Sequence, residues 1–195
     1  AALLRGLVPN TDVELSGSVL SSLGVLEPFH ASVTTGSPRR HLVLNEVLAN
    51  PVGPEPDAEW LELVNDSELP ASLSRLWLED SGGHVPLPDG ELAPGEMALL
   101  VSDAFRPSGL DVPIPDGVRL LRVAGLGARG LANGGEALLL VGPEGVVSRF
   151  PMLAAPHAGH SLAGRTLDGA DDGQAGFAAQ AGPAASTGAP NIFDD

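Results

Sequence analysis

The chain of 195 residues carries a formal charge of −15, and its length allows one good-sized domain plus a fragment, or two small domains. All ten basic residues are arginine. No basic stripe is present to neutralise phosphates, which excludes a nucleic-acid partner. The absence of cysteine excludes disulfides and thiolate metal sites. No apolar run reaches the length of about 18 residues that a membrane-spanning helix needs, so the sequence predicts no membrane span.

Short strand-like segments separated by turns recur along most of the chain. The 25 glycines and 18 prolines divide it into pieces too short for long helices. The predicted strands are His41–Leu48, Glu59–Val64, Leu73–Glu79, Glu96–Val101, Val118–Val123, Glu136–Val141 and Val146–Phe150, with a short last strand at His160–Leu162. This spacing predicts an all-β sandwich or barrel with long Gly/Pro-rich loops and little helix.

The alternation within these strands also predicts which side chains form the core. The predicted core consists of Leu42, Leu44, Val47, Leu61, Leu63, Trp77, Leu99, Val101, Leu138, Leu140 and Phe150. From about residue 169 the chain becomes a low-complexity tail of small residues, which we expect to be ordered only where large apolar side chains hold it to the body.

Residues 1–38 differ in pattern from the rest. Gly6–Thr11 (GLVPNT) and a later Val33-Thr34-Thr35 resemble the last third of a fibronectin-type-III-like domain. We therefore expect residues 1–38 to be the C-terminal strands of a preceding fibronectin-III or immunoglobulin-like domain, or extra strands. A piece of this size is marginal without a partner sheet. The chain is thus interpreted as part of a longer protein, with any signal peptide absent or already removed.

From Leu42 onward the sequence resembles a bacterial lamin-tail domain. The motifs that carry the resemblance occur in the family's order: Leu42–Pro51 (LVLNEVLANP), Glu59–Asn65 (EWLELVN), Ser74–Asp80, Leu87–Gly90, Leu92–Gly95, Gly159–Arg165 (GHSLAGR) and Ser186–Asn191. The resemblance implies an immunoglobulin-like β-sandwich over residues 39–195, with no known catalytic machinery. It also implies an exported, extracellular or cell-surface protein, in which such domains lie beside adhesive modules or hydrolases.

Two details of this resemblance carry structural predictions. The family's Leu-Ser-Gly-Trp corresponds to Leu73-Ser74-Arg75-Leu76-Trp77 here, with the tryptophan displaced by one residue, which predicts a bulge or a register difference. Asn45, Glu46 and Glu62 lie inside apolar strands, and buried polar groups need hydrogen-bond partners. We expect these three to cap neighbouring loops through backbone N–H groups, with ligation of a cation or partner as the alternative.

Two motifs resemble catalytic or cofactor sites but lack the necessary context. Gly159-His160-Ser161 is similar to a hydrolase nucleophile elbow, yet no histidine follows Ser161 to complete a triad. Gly125–Gly130 matches the dinucleotide fingerprint, but the sequence after it opens no helix to meet a pyrophosphate. We predict a turn at the first and a loop at the second, and no catalytic residues.

Candidate metal ligands are limited to histidines and acidic loops. His157 and His160 would need a third ligand, such as His41, His84 or a carboxylate. The acidic loops suit calcium, which prefers oxygen ligands, although neither matches the EF-hand spacing. The candidate calcium ligands are Asp57, Glu59, Asp168, Asp171 and Asp172. The alternative for both loops is a solvated surface.

The sequence therefore favours a non-catalytic interaction or structural module. Its expected partners are a protein or cell-envelope component, bound through a sheet face or edge, and neighbouring domains of the same chain. An accessory domain of a secreted hydrolase, stabilised by calcium, is the alternative. An enzyme in its own right would require His157, His160 and two carboxylates to meet in a cleft.

Overall fold

A computed structural model describes residues 11–22, 24–36, 41–111, 113–127, 130–165, 167, 176–180, 191 and 193. The described segments form an all-β protein, as predicted from the sequence. The chain divides into two compact units, Ala1–Arg39 and Arg40–Asp195. Among the described residues, no helix has the length and apolar character that crossing a bilayer would demand.

The first unit contains an antiparallel hairpin of β1 (Asp12–Leu20) and β2 (Leu26–Thr34). Residues alternate between the two faces, and Val13, Leu15, Phe29 and Val33 share one of them, which we call the apolar face. Val33 and Phe29 on the apolar face are 47% and 41% exposed. Phe29 lies opposite Gly17, where a Cβ atom would come within 2.8 Å of the phenyl ring, so the glycine makes room for the aromatic side chain.

The second unit contains two larger sheets. The six-stranded sheet has the order β10-β9-β4-β3-β13-β14, with β10 parallel to β9 and the other neighbours antiparallel. Its strands are β3 (Leu42–Leu48), β4 (Trp60–Asn65), β9 (Met97–Ser102), β10 (Arg119–Val123), β13 (Leu162–Gly164) and β14 (Phe177–Ala179).

The four-stranded sheet has the antiparallel order β12-β11-β6-β7. Its strands are β6 (Trp77–Asp80), β7 (Gly83–Pro86), β11 (Leu138–Gly142) and β12 (Gly145–Phe150), while β5 (Ala71–Ser72) and β8 (Glu91–Leu92) form a separate short pair. β7 was not among the strands predicted from sequence; it pairs with β6 through the Asp80–Gly83 turn, where the Asp80 carboxylate accepts from the N–H groups of Gly82 and Gly83.

One apolar core is built from the inner faces of both larger sheets. Leu44 and Leu61 come from the six-stranded sheet and Leu78 and Leu140 from the four-stranded sheet. Leu99 and Val101 belong to a second cluster, which also contains Trp60. The predicted core is confirmed for every residue except Trp77, which is only partly buried.

A tight turn before β6 explains the exception. Arg75 adopts a left-handed conformation with φ of 64°, and Leu76 follows it as a buried residue, 8% exposed. Since side chains alternate along a strand, Leu78 then points inward while Trp77 and Glu79 point outward. The predicted strand Leu73–Glu79 was therefore wrong over its first four residues, which form this turn.

Truncation of a buried leucine should destabilise the second unit strongly. Leu140 is fully buried between the sheets, so Leu140→Ala should lower the free energy of unfolding by about 2–5 kcal/mol in urea denaturation. Leu110→Ala, at a position 72% exposed, is the matched control and should change it by less than about 0.5 kcal/mol. Equal effects at the two positions would contradict the assigned core.

The left-handed conformation of Arg75 predicts a stabilising substitution. The left-handed conformation is less favourable by roughly 1–2 kcal/mol for a residue with a Cβ atom, whereas glycine adopts it without this cost. Arg75→Gly should therefore raise the free energy of unfolding by about 0.5–1 kcal/mol, after allowance for the greater freedom of glycine in the unfolded chain. Arg75→Ala keeps the Cβ atom and should give no gain; stabilisation by alanine but not glycine would show that the backbone conformation is different.

Candidate interaction surface

The outer face of the six-stranded sheet is covered by the chain itself. On one half, Trp60 packs with Leu99, Val101 and Phe105, and partly buried residues of the loop before β10, including Ile114, lie against them. Trp60 is 2% exposed as a result. This half of the sheet is therefore occupied by the protein's own loop.

On the other half of that face, buried polar groups connect the central strands to C-terminal residues. Asn45, at a register shift in β3, donates to Glu62 at 2.7 Å, and Asn191 donates to Asn45 at 3.0 Å. Ser161 donates to the Glu46 carboxylate at 2.5 Å. Asn45, Glu46 and Glu62 bond to side chains in these contacts, and the expectation that they also cap loops through backbone N–H groups stays a prediction.

The outer face of the four-stranded sheet is different, because its apolar side chains are partly open to solvent. Trp77 of β6 lies opposite Val141 of β11, which lies opposite Val146 of β12. Leu139 extends this apolar area along β11. We call these four residues the outer stripe: Val146 is 43% exposed, and the other three are half-buried.

Polar neighbours hold Trp77 in place on this face. Its indole N–H donates to the Glu79 carboxylate at 3.2 Å, and the His84 ring lies edge-on with the ring centroids 6.5 Å apart. These contacts already restrict the Trp77 side chain. A partner that packs on the ring would therefore cost little further side-chain entropy at this residue.

A cleft of about 390 Å³ adjoins the outer stripe. Leu139, Ala137 and Met152 supply apolar walls, and Met152 is 60% exposed. The residues Glu79, Asp80 and Glu136 also line it. Apolar walls combined with a few polar groups are typical of a recognition site.

Of the predicted calcium ligands, the structure describes Asp57 and Glu59, which lie at the start of β4. Glu59 is 1% exposed and accepts from the backbone N–H of Leu131 at 2.6 Å, while Asp57 is partly buried. Gly130, with φ of 90°, sits directly over this carboxylate, and a Cβ atom there would lie 2.8 Å from its oxygens. Glu59 therefore holds the loop that contains Leu131 beside β4.

Asp168, Asp171 and Asp172 lie outside the described residues. In the described part of the chain, no three histidine or acidic side chains gather in an arrangement that would hold a metal ion. Calcium binding stays a prediction. His157 and His160 do lie together, with ring centroids 6.4 Å apart, and form one turn through a backbone hydrogen bond.

The two motifs that resemble catalytic or cofactor sites lie in local contexts that differ from those of such sites. Ser161 is fully buried and bonds to Glu46, and its carbonyl accepts from the N–H of Gln180. The segment after Gly130 forms a turn and leads into strand β11, whereas the dinucleotide fingerprint requires a helix there.

Sequence reasoning missed the outer stripe and the burial of Glu59. A signal for Glu59 was present: it alternates in phase with Leu61 and Leu63, whose side chains face the core. For the outer stripe, the signal was the displacement of Trp77 by one residue from the family pattern. A shift of one residue moves a side chain to the opposite face of the strand.

No family model matches the chain, and a search of curated proteins also finds no match. A solved structure that is similar to it is that of a DUF4876 family protein from Bacteroides thetaiotaomicron. The TM-score is 0.44 at 12% sequence identity, over 82% of this chain and 75% of that chain. That degree of similarity carries no conclusion about function.

Glu59 predicts a pH dependence of stability. Burial raises the pKa of Glu59 from 4.5 to about 8; the Leu131 N–H opposes this rise, and the nearby carboxylates of Glu55, Glu136 and Asp57 add to it. The folded chain therefore holds this proton more tightly than the unfolded chain. Its contribution is complete below about pH 4.5 and is lost as the pH rises towards 8.

We thus expect the free energy of unfolding to fall between about pH 5 and pH 8, by an amount on the order of a few kcal/mol. Glu59→Gln, which carries no titrating proton, should remove this part of the decline in urea denaturation at a series of pH values. Parallel curves for the two proteins would contradict the assignment.

Proposed function

We propose that the second unit is an immunoglobulin-like domain of the lamin-tail kind, acting as a non-catalytic interaction module of an exported, multidomain bacterial protein. Its expected partner is a protein bound through the outer face of the four-stranded sheet. The order of sequence motifs from Leu42 to Asn191 supports the family assignment.

The turn at Arg75 adds support from the backbone. In the family pattern Leu-Ser-Gly-Trp, the glycine corresponds to Arg75 and the tryptophan to Leu76. Arg75 has the positive φ that glycine favours, and Leu76 is buried where the family's large apolar residue would lie. Alignment on this turn therefore removes the one-residue displacement, since Leu76 and not Trp77 takes the inward position.

The observation that carries the functional proposal is the difference between the two outer faces. The chain covers Trp60 on one sheet and leaves Trp77 partly open on the other. Tryptophan is enriched among the residues that dominate binding energy at interfaces. A partly exposed apolar area beside a cleft on a rigid sheet suits docking of a partner.

Polar groups of the kinds found in catalytic sites support the same proposal by their contacts. Ser161 and Glu46 bond to each other in the interior, and Glu59 bonds to the backbone of the adjoining loop. These contacts stabilise the fold, so the proposal assigns no catalytic residue.

Selection from a displayed random-peptide library tests the interaction function. The wild-type protein should enrich specific sequences, and the double variant Trp77→Ala/Leu139→Ser should fail to retain them, because it loses the apolar contacts of the outer stripe. The variant must keep the wild-type circular dichroism spectrum. Failure to enrich any sequence, or equal retention by both proteins, would overturn the proposed function.

A further inference from the structure

The hairpin of the first unit has an outer edge on each of its two strands. Two backbone hydrogen bonds fix which residues face those edges: the Thr35 N–H donates to the Thr11 carbonyl at 2.9 Å, and the Ser21 N–H donates to the Val25 carbonyl at 2.8 Å. Hydrogen-bonded and non-hydrogen-bonded pairs alternate along an antiparallel ladder, so the odd-numbered residues of β1 bond to β2. The N–H and C=O groups of the even-numbered residues therefore point to the outer edges.

The two outer edges differ in their capacity to pair with another strand. On β2 the outward-pointing residues include Pro28, which has no N–H to donate, and a proline at such a position protects an edge from pairing. On β1 every outward-pointing residue carries both groups, and all five are exposed: Asp12, Glu14, Ser16, Ser18 and Leu20. In the described part of the chain, β1 pairs with β2 alone. The outer edge of β1 is thus open to the addition of a strand.

The sequence of β1 is complementary to itself in an antiparallel arrangement. When β1 of a second copy pairs over the full nine residues, the two-fold axis passes through Ser16, which then faces Ser16 of the copy. In this register Val13 lies opposite Val19 of the copy, and Leu15 lies opposite Gly17 of the copy. All of these side-chain positions belong to the apolar face, so that face continues across the new strand pair.

Phe29 supplies a second element of complementarity. Its ring lies over Gly17, where a Cβ atom would come within 2.8 Å of the phenyl carbons, so the ring reaches from β2 across β1 towards the outer edge. Leu15 of the copy occupies the next position in that row, and the ring and the leucine side chain would therefore meet. Such cross-strand contacts between apolar side chains are the main stabilising element of a sheet.

The charged side chains are compatible with this register. Asp12 faces Leu20 of the copy and Glu14 faces Ser18 of the copy, so no two carboxylates are directly opposite. The Glu14 side chains of the two copies lie four residues apart along the paired strands, roughly 13 Å, which exceeds the Debye length of about 8 Å at physiological ionic strength. The other titratable groups of the described hairpin lie on β2, one strand away from the new ladder: Glu27 and His30.

We propose that the outer edge of β1 is a dimerisation surface, to which β1 of a second copy adds in antiparallel orientation, centred on Ser16, to form a four-stranded sheet. A two-stranded hairpin is marginal alone in water, and independent stability needs three or more strands with an apolar face. The formal charge of −15 on each copy opposes their approach, so the dimer becomes more stable as the salt concentration rises. The inference concerns the first unit and does not depend on the function proposed for the outer stripe.

Sedimentation equilibrium of the 195-residue chain tests the association. The dissociation constant should be on the order of micromolar, because one strand pair buries less area than an interface of standard size. Ser16→Pro removes the central outward N–H and should weaken the dimer by about tenfold or more. His30→Pro is the matched control: His30 faces Ser16 within the hairpin, its N–H points to the outer edge of β2, and the substitution should leave the dimer intact.

Substitutions at Ser16 and Ser18 test the register without proline. Ser18→Glu places a carboxylate opposite Glu14 of the copy and should weaken the dimer, whereas Ser18→Arg places a cation there and should strengthen it. Because the chain has no cysteine, a single introduced thiol can pair only with the same residue of another copy. Ser16→Cys should form a disulfide between copies, since the Cα atoms of a hydrogen-bonded pair lie about 5.5 Å apart, and Ser18→Cys should not.

Three results would overturn the proposal. A chain that stays monomeric at about 1 mM would leave the edge of β1 to a strand of a different protein or domain. A dimer that withstands Ser16→Pro would associate through another surface. A disulfide that forms more readily at position 18 than at position 16 would show a different register.

Discussion

Leu76 and Trp77 are adjacent large side chains, and strand alternation allows only one of them to enter the core. The left-handed conformation of Arg75 starts β6 so that Leu76 and Leu78 point inward. Trp77 and Glu79 then share the solvent side, where the indole N–H meets the carboxylate. The inner packing of the four-stranded sheet and the composition of its outer face both depend on this one backbone turn.

The two outer faces of the second unit differ in how far the chain covers their apolar side chains. On the six-stranded sheet, the loop before β10 covers Trp60, and Ser161 and Asn191 bond to the buried Glu46 and Asn45 of β3. On the four-stranded sheet, Trp77 and Val146 stay partly or largely open. Burial of apolar area contributes roughly 25 cal/mol per Å², so the open face retains driving force for association that the covered face has already used in folding.

Sequence alone predicted the all-β class and most strands, because alternation and turn residues are local signals. It placed Leu44, Leu61 and Leu140 in the core for the same reason. The side of β6 that Trp77 occupies depends on a positive φ at an arginine, which local preference argues against. Asn45 and Glu46 also bond to Asn191 and Ser161, which lie far along the chain, and such long-range pairing leaves no local pattern.

Trp77 faces solvent on the four-stranded sheet, whereas Trp60 is enclosed on the six-stranded sheet. Incorporation of 5-fluorotryptophan gives one ¹⁹F resonance for each of the two tryptophans, and Trp77→Phe assigns them. On transfer from H₂O to D₂O, the Trp77 resonance should shift in the direction of an exposed fluorotryptophan, and the Trp60 resonance should stay nearly unchanged. A Trp77 resonance as insensitive to solvent as that of Trp60 would place Trp77 in the core and contradict the account.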